Sequence, residues 1–281
     1  MAVDTSEQLI KYPNALGDCF SLAREKIGRR DAERLLGHVF GTSTTQLYSS
    51  PKMHVTHDEA QVFFDLVERR RHGEPIEYMT QKCYFWTQKL RVSPAALIPR
   101  PETEVLVEAA LQLLRDGNRV LDLGTGTGAI ALALRSELEL QVVASDISVE
   151  ALELCAENAN QLNLAVETLR SDWYSAVGGS FDVIISNPPY VANDDPVLTQ
   201  SSLRYEPLKA LASEKNGLGA LETVILGSKP YLVDGGWLLV EHGYNQREEV
   251  LGLFNEAGFR NIDCRSDYND NPRVIFGEKS E

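Results

Sequence analysis

The segment FDVIISNPPY, Phe181 to Tyr190, runs an apolar strand-like stretch straight into Asn187-Pro188-Pro189-Tyr190. Neither proline has a backbone N–H, and each fixes its own φ while pushing the preceding residue toward extended geometry. The corner is therefore stiff and rich in acceptors. Asn187 adds a side-chain carbonyl, and Tyr190 adds a flat apolar face with a polar tip. Such a corner suits a planar group bearing an NH2. Its two hydrogens would go to the Asn187 side-chain oxygen and the Pro188 carbonyl, leaving the nitrogen lone pair aimed at an electrophile. The bland alternative is a plain strand exit, because Asn-Pro and Pro-Pro are ordinary turn punctuation.

A second cluster lies where RVLDLG flows into Gly124-Thr125-Gly126-Thr127-Gly128 and an alanine-rich helix start. Glycines there permit unusual φ and let a ligand approach the backbone. The spacing G-x-G-x-G is neither the dinucleotide fingerprint G-x-G-x-x-G nor a P-loop with Gly-Lys-Ser/Thr, so phosphate is not the favoured guest. Asp146 ends the next strand, where a carboxylate can accept from both hydroxyls of a ribose; its alternative role, together with Ser148, is to cap the helix that follows. Trp173 follows the third strand at the same edge. Its indole could pack on a base while Asp172 accepts from an exocyclic amine, or it could be a rim hydrophobe. A nucleoside without phosphates fits this cluster best.

The elements that must hold these residues are legible in the periodicity. Residues 1–73 read as a small helical domain, with helix-spaced apolar positions in Ser21 to Ile27, Asp31 to Val39 and Asp58 to Val67, broken at Gly28, Gly41 and Gly73. Residues 74–101 change period: CYFWTQKLRV predicts a strand or hairpin, and the proline-marked SPAALIPRPE completes a linker. From residue 102 to 281 helices alternate with short apolar strands. Helices are predicted near 102–115, 128–138, 148–162, 217–232 and 245–257, and strands at RVLDLG, QVVASDI, VETLRSD, FDVIISN and WLLVEHG. Two closing strands near Ile262 and Val274 are joined by the turn-rich SDYNDNP. This is the pattern of an α/β doubly wound sheet, with a C-terminal hairpin that inserts one antiparallel strand.

Bulk properties narrow the classes. The chain has 281 residues, 43% hydrophobic and 24% charged, which suits a globular enzyme and excludes disordered or fibrous classes. The start MAVDTSEQLIKYPNAL lacks a basic, apolar leader and no stretch approaches a membrane span, so a cytoplasmic protein with no membrane partner is expected. Cys19, Cys83, Cys155 and Cys264 are scattered without paired spacing, and the five histidines lack ligand spacing; neither disulfides nor a metal site is expected. Against 41 acidic residues stand 27 basic ones, a net charge of −14 that opposes direct binding of nucleic acid. The one dense basic run, Arg69-Arg70-Arg71-His72 before Gly73, reads as a helix C-terminus complementing the dipole.

Glycine loop, acidic strand end and NPPY together resemble a class I S-adenosylmethionine-dependent methyltransferase acting on a planar nitrogen. More narrowly, GEPIEYMT, FW, LIPRPETE, DLGTGTGAIALAL, SNPPY and RYEPLKAL, spread from Gly73 to Gly277, resemble the protein-(glutamine-N5) methyltransferases of peptide chain release factors, the HemK/PrmC family. The resemblance implies a helical substrate-docking domain ahead of the catalytic domain. It implies S-adenosyl-L-methionine as cofactor and methylation of the glutamine in the Gly-Gly-Gln loop of class 1 release factors, by a monomer, in translation termination. By position it implies cofactor contacts at Gly124, Thr125, Gly126, Thr127, Gly128, Asp146, Trp173 and Asn187. Substrate contacts fall at Asn187, Pro188, Pro189 and Tyr190, of which Asn187, Pro188 and Tyr190 are catalytic. Pro99 to Glu102 is expected to close over the cofactor, or to open a helix, or both. The family usually has glycine near Gln81, so here that turn must be made without it. Two other classes compete: a methyltransferase for an exocyclic amine of adenine or guanine, which shares NPPY, and a non-catalytic scaffold retaining the fold.

Overall fold

The computed structural model describes residues 12–199 and 201–280 and divides into two compact units, Met1–Thr80 and Gln81–Glu281. The segment from Met1 to Lys11, read above for its lack of an apolar leader, lies outside the described residues. No helix among the described residues is long and apolar enough to cross a membrane.

The first unit is helical: α1 (Leu16–Ile27), α2 (Arg29–Phe40), α3 (Thr44–Ser49), α4 (His57–Arg71) and α5 (Ile76–Thr80). Its punctuation explains its boundaries. Ser43 with Gln46, and Thr56 with Glu59, form capping boxes that satisfy the first N–H groups of α3 and α4. Helix-spaced Leu16, Cys19, Phe20 and Ala23 of α1 meet Leu35 and Leu36 of α2 and Phe63 and Val67 of α4 in one core. The basic run does end α4, and its arginines are paired: Arg69 with Glu74, Arg70 with Asp31, Arg71 with Glu68.

The second unit opens with the expected hairpin, β1 (Cys83–Phe85) against β2 (Gln88–Leu90). Its two-residue loop has positive φ at Trp86 alone, the pattern of a II′ turn. Pro101–Thr103 forms a 3-10 turn that leads into α6 (Glu104–Leu113). The alternating part follows: β3 (Arg119–Leu123), α7 (Ala129–Glu137), β4 (Gln141–Asp146), α8 (Val149–Leu162), β5 (Glu167–Arg170) and β6 (Phe181–Ser186). After the short strands β7 (Val191–Ala192) and β8 (Ala212–Ser213) come α9 (Gly219–Gly227), β9 (Leu232–Glu241), α10 (Arg247–Glu256), β10 (Phe259–Ser266) and β11 (Pro272–Lys279).

The main sheet has the order β10-β11-β9-β6-β3-β4-β5. Strands β9, β6, β3, β4 and β5 are parallel, and β11 pairs antiparallel with both β9 and β10. The sheet is thus doubly wound with an inserted C-terminal antiparallel strand, as the sequence predicts. Successive residues alternate faces: Val120, Val183 and Ile185 join the core under α6, α7 and α8, while Leu121, Ile184 and Leu238 join the core under α9 and α10. Burial on both faces is why these strands read as continuous apolar runs. Some elements differ from expectation: within the expected linker, Ile76–Thr80 is helical, with Ile76 and Met79 in the core of the first unit, and the short β7 and β8 are additional. The helix predicted near 217–232 stops at Gly227, because Pro230 cannot continue it; Lys229–Tyr231 is a 3-10 turn, and β9 begins at Leu232.

Chain order reverses at β3, which pairs with β4 on one side and β6 on the other. A ligand crevice forms beyond the carboxyl ends of strands at such a switch point. The glycine loop, Asp146, Trp173 and NPPY all lie at that edge.

Candidate active site

Strand β3 ends in a buried acid. Asp122 is fully buried, and its Oδ2 accepts from the Thr125 hydroxyl at 2.7 Å and from the Ala131 N–H of α7 at 3.3 Å. Its Oδ1 makes no hydrogen bond. Burial pushes this carboxyl from 3.8 up to about 7, against the pull of those two donors. The loop above it is held from several sides. Gly124 and Thr125 donate their N–H groups to the Ser145 carbonyl, each at 2.9 Å. Buried Asn158 of α8 donates to the Thr127 carbonyl at 2.9 Å and to the Arg91 carbonyl at 3.0 Å. Gly128 turns the chain into α7 with φ +83°, and a Cβ there would come within 2.6 Å of the Cys155 Sγ. Its requirement for glycine is steric as well as conformational.

Asp146 links the loop to the next helix. Its two carboxylate oxygens accept from the Gly126 and Ser148 N–H groups, both at 2.9 Å. The cap of α8 is Ser148, whose hydroxyl accepts from Ala151 at 3.1 Å, so capping does not occupy Asp146. A carboxylate offers about four lone-pair directions, and two remain for hydroxyl donors. Trp173 adopts φ +46°, a left-handed conformation costly for a bulky side chain, with its carbonyl tied to the Ser171 hydroxyl at 2.7 Å.

These parts surround one cavity of about 820 Å³. Gly124, Thr125, Gly126, Thr127, Asp146, Asp172, Trp173, Asn187 and Pro189 line it, together with Pro99, Arg100 and Thr103 from the segment before α6. Gly128 does not line it; its place is beneath the loop, against Cys155. A second cavity of about 140 Å³ adjoins the first and is lined by Asn187, Pro188, Pro189 and Tyr190. The two share Leu97, Arg100, Asn187, Pro189 and Ala210. Asn187 therefore stands where a large chamber meets a small one.

The orientation of Asn187 is set. Its Nδ2 donates to the Thr103 hydroxyl at 3.1 Å, which leaves Oδ1 as its open acceptor. The Tyr190 phenol donates to Glu241 Oε1 at 3.0 Å, and burial together with that neighbour pushes its pKa well up. The tyrosine is thus anchored by its polar tip as well as by packing. Glu241 is fully buried, and burial raises its pKa; the nearby Thr103 hydroxyl, the bond from Tyr190 and the nearby Arg273 oppose the rise. Arg100 pairs with buried Glu206, whose other oxygen accepts from the Ile98 N–H at 3.0 Å. That carboxylate pins LIPRPETE to RYEPLKAL, two segments that both contribute lining residues to the two cavities.

Sequence reasoning missed Asp122, Asn158, Glu206 and Glu241. A usable signal existed for two of them: Asp122 interrupts the apolar run VLDL and Glu241 ends the apolar run WLLVE, an arrangement that demands a special partner. Asn158 and Glu206 carry no comparable local mark.

A parallel sheet with this switch point, a glycine loop, a ribose-competent acid and an NPPY corner defines a class I methyltransferase. The Methyltransferase small domain matches residues 101–231, and the PrmC N-terminal domain matches residues 18–80. The release factor glutamine methyltransferase of Escherichia coli (strain K12) is 44% identical over 273 residues, covering 95% of this chain and 99% of that protein. That of Xylella fastidiosa (strain 9a5c) is 44% identical over 260 residues, covering 91% and 94%. The chain belongs to the release factor glutamine methyltransferase family. Among solved structures, a methyltransferase from Pyrococcus furiosus has a TM-score of 0.54 at 18% identity over 68% of this chain and 89% of its own, a likeness of fold.

Proposed function

We propose that this protein transfers a methyl group from S-adenosyl-L-methionine to the side-chain amide nitrogen, N5, of the glutamine in the Gly-Gly-Gln motif of class 1 peptide chain release factors. The observation that carries the reading is the position of Asn187, with Oδ1 free at the junction of a nucleoside-sized chamber and a small acceptor-lined one.

The larger cavity suits the cofactor. Asp146 keeps acceptor capacity for ribose hydroxyls, Asp172 can accept from an exocyclic amine, and Trp173 offers a flat wall. Gly124 to Thr127 let a ligand lie against the backbone. When bound, S-adenosyl-L-methionine supplies a sulfonium methyl reactive enough that positioning carries much of the barrier.

An amide nitrogen is a weak nucleophile because its lone pair is delocalised. Asn187 Oδ1 and the Pro188 carbonyl accept its two hydrogens, aim the nitrogen, and stabilise the positive charge that develops on it. No general base is needed before transfer; the proton leaves afterwards to water. Pro189 and Tyr190 wall the smaller cavity, with Tyr190 fixed through Glu241.

In this reading, residues 1–73 dock the body of the factor, residues 74–101 link, and residues 102–281 catalyse. Two linked contacts raise the effective concentration of the second. The protein works as a cytoplasmic monomer without a membrane or direct nucleic-acid partner; its charge of −14 supports the last of these. Incubation with labelled methyl donor and either folded release factor or mixed nucleic acid tests it. Label is expected in the factor alone; label in DNA or RNA returns the assignment to an exocyclic amine, and no label to a scaffold.

A further inference from the structure

Burying a carboxyl group costs free energy that a hydrophobic residue of similar size does not. Glu241 is nonetheless placed at the end of a parallel strand, only 1% exposed, with Oε2 unbonded. Its location is informative. Strands β6 and β9 are in register with Ser186 opposite Val240, so the next residues, Asn187 and Glu241, emerge side by side at the carboxyl edge of the sheet. Tyr190 donates to Glu241 from one side. Thr103, 4% exposed at the entrance to α6, holds the neighbouring Asn187: its hydroxyl accepts from Asn187 Nδ2 at 3.1 Å. By taking the Asn187 NH2, the Thr103 hydroxyl leaves the amide oxygen open toward the cavities.

Each polar side chain of NPPY is thus held by a buried partner, Asn187 by Thr103 and Tyr190 by Glu241. The consequence concerns the amide of Asn187, whose oxygen and nitrogen ends are almost equal in shape. Turned by half a revolution, it would present an NH2 to an incoming NH2, and donor would face donor. Something must distinguish the two orientations.

We propose that Glu241 and Thr103 are positioning residues for methyl transfer: Thr103, accepting from Asn187 Nδ2, holds the Asn187 oxygen toward the acceptor nitrogen, and Glu241, accepting from Tyr190, fixes the far wall of the same pocket. The proposal rests on the reading of Asn187 given above. On this account the rate falls in variants that remain folded and still bind the cofactor. A merely structural role predicts the opposite: activity would fall only as stability falls.

The test uses the full chain, a folded class 1 release factor and single-turnover rates, with cofactor affinity by calorimetry and thermal unfolding measured on each variant. Thr103→Val and Glu241→Leu should each lower the rate about tenfold or more, the scale of a misdirected charge-stabilising contact. Cofactor affinity should stay within about twofold, and rates are compared at a temperature where every variant is folded, because Glu241→Leu leaves the buried Tyr190 hydroxyl without its acceptor. Thr103→Ser, which restores the hydroxyl, should recover most of the lost rate. Should Glu241→Leu fail to fold, Thr103→Val against Thr103→Ser decides. Wild-type rates in Thr103→Val, a rate loss matched by lost cofactor affinity, or equal rates for the Ser and Val variants would overturn the positioning role while leaving the substrate assignment intact. Wild-type protein that does not methylate the factor's glutamine would overturn both.

Discussion

Replacing Asp122 by asparagine should abolish a specific pH dependence of stability. The wild-type carboxyl is fully buried, and burial raises its pKa from 3.8 to about 7 in the folded chain. Between those values the native state keeps a proton that the unfolded chain has released, so stability falls as pH rises. The contribution is fully present below 3.8 and is lost as pH passes through about 7. At about 1.4 kcal/mol per pH unit, the difference amounts to about 4 kcal/mol between acid and neutral solution. Asparagine keeps an oxygen for Thr125 and Ala131 and carries no titratable proton. All three tryptophans, Trp86, Trp173 and Trp237, lie in the unit from Gln81 onward, so urea unfolding followed by tryptophan fluorescence reports on that unit. Measured from pH 4 to pH 8, the gap between variant and wild type should move in favour of Asp122→Asn by about 4 kcal/mol. A gap that stays constant across the range would refute the reasoning, whatever its size.

Further outcomes follow from the same geometry. Asp146→Ala should weaken S-adenosyl-L-methionine binding by about 1.5–3 kcal/mol, the loss of charge-assisted hydrogen bonds; unchanged affinity by calorimetry would leave Asp146 only its ties to Gly126 and Ser148. Asn187→Ala should abolish methyl transfer while weakening cofactor binding only modestly, and a near wild-type rate would remove Asn187 from catalysis. Gln81 holds φ +55°. Gln81→Gly should therefore raise stability by about 0.5–1 kcal/mol, the relief of left-handed strain outweighing the added flexibility of the unfolded chain; an unchanged or lower denaturation midpoint would contradict this. Gly128→Ala should destabilise the protein, since its Cβ would meet Cys155 Sγ at 2.6 Å. Unfolding measured on Gly128→Ala beside the paired variant with Cys155→Ala should show partial relief.

How far the sequence carries the structure depends on whether an interaction is local. RVLDLG, QVVASDI and FDVIISN announce a doubly wound sheet because strands buried on both faces need unbroken apolar runs. SDYNDNP announces the closing hairpin because turn residues cluster between two short strands. NPPY and the glycine loop are legible for the same reason, since their chemistry lies in adjacent residues. What escapes is pairing across distance. The bond from Asn187 to Thr103 and the ion pair of Arg100 with Glu206 join segments 84 and 106 positions apart through the order of the strands. The end of α9 is a different failure: apolar periodicity runs on through residues 217–232, and only the weight given to Pro230 stops the helix at Gly227. At Gln81 the sequence does pose the right question. A turn made without its usual glycine is made by forcing a glutamine into the left-handed region.

The central claim is that the nitrogen held by Asn187 and Pro188 belongs to a release-factor glutamine. Mass spectrometry of the Gly-Gly-Gln peptide, recovered from an intact, folded class 1 release factor after reaction with this protein and S-adenosyl-L-methionine, tests that claim most directly. One added methyl located on the glutamine side chain is the predicted result. An unmodified glutamine, from folded factor and enzyme shown to bind the cofactor, would contradict it.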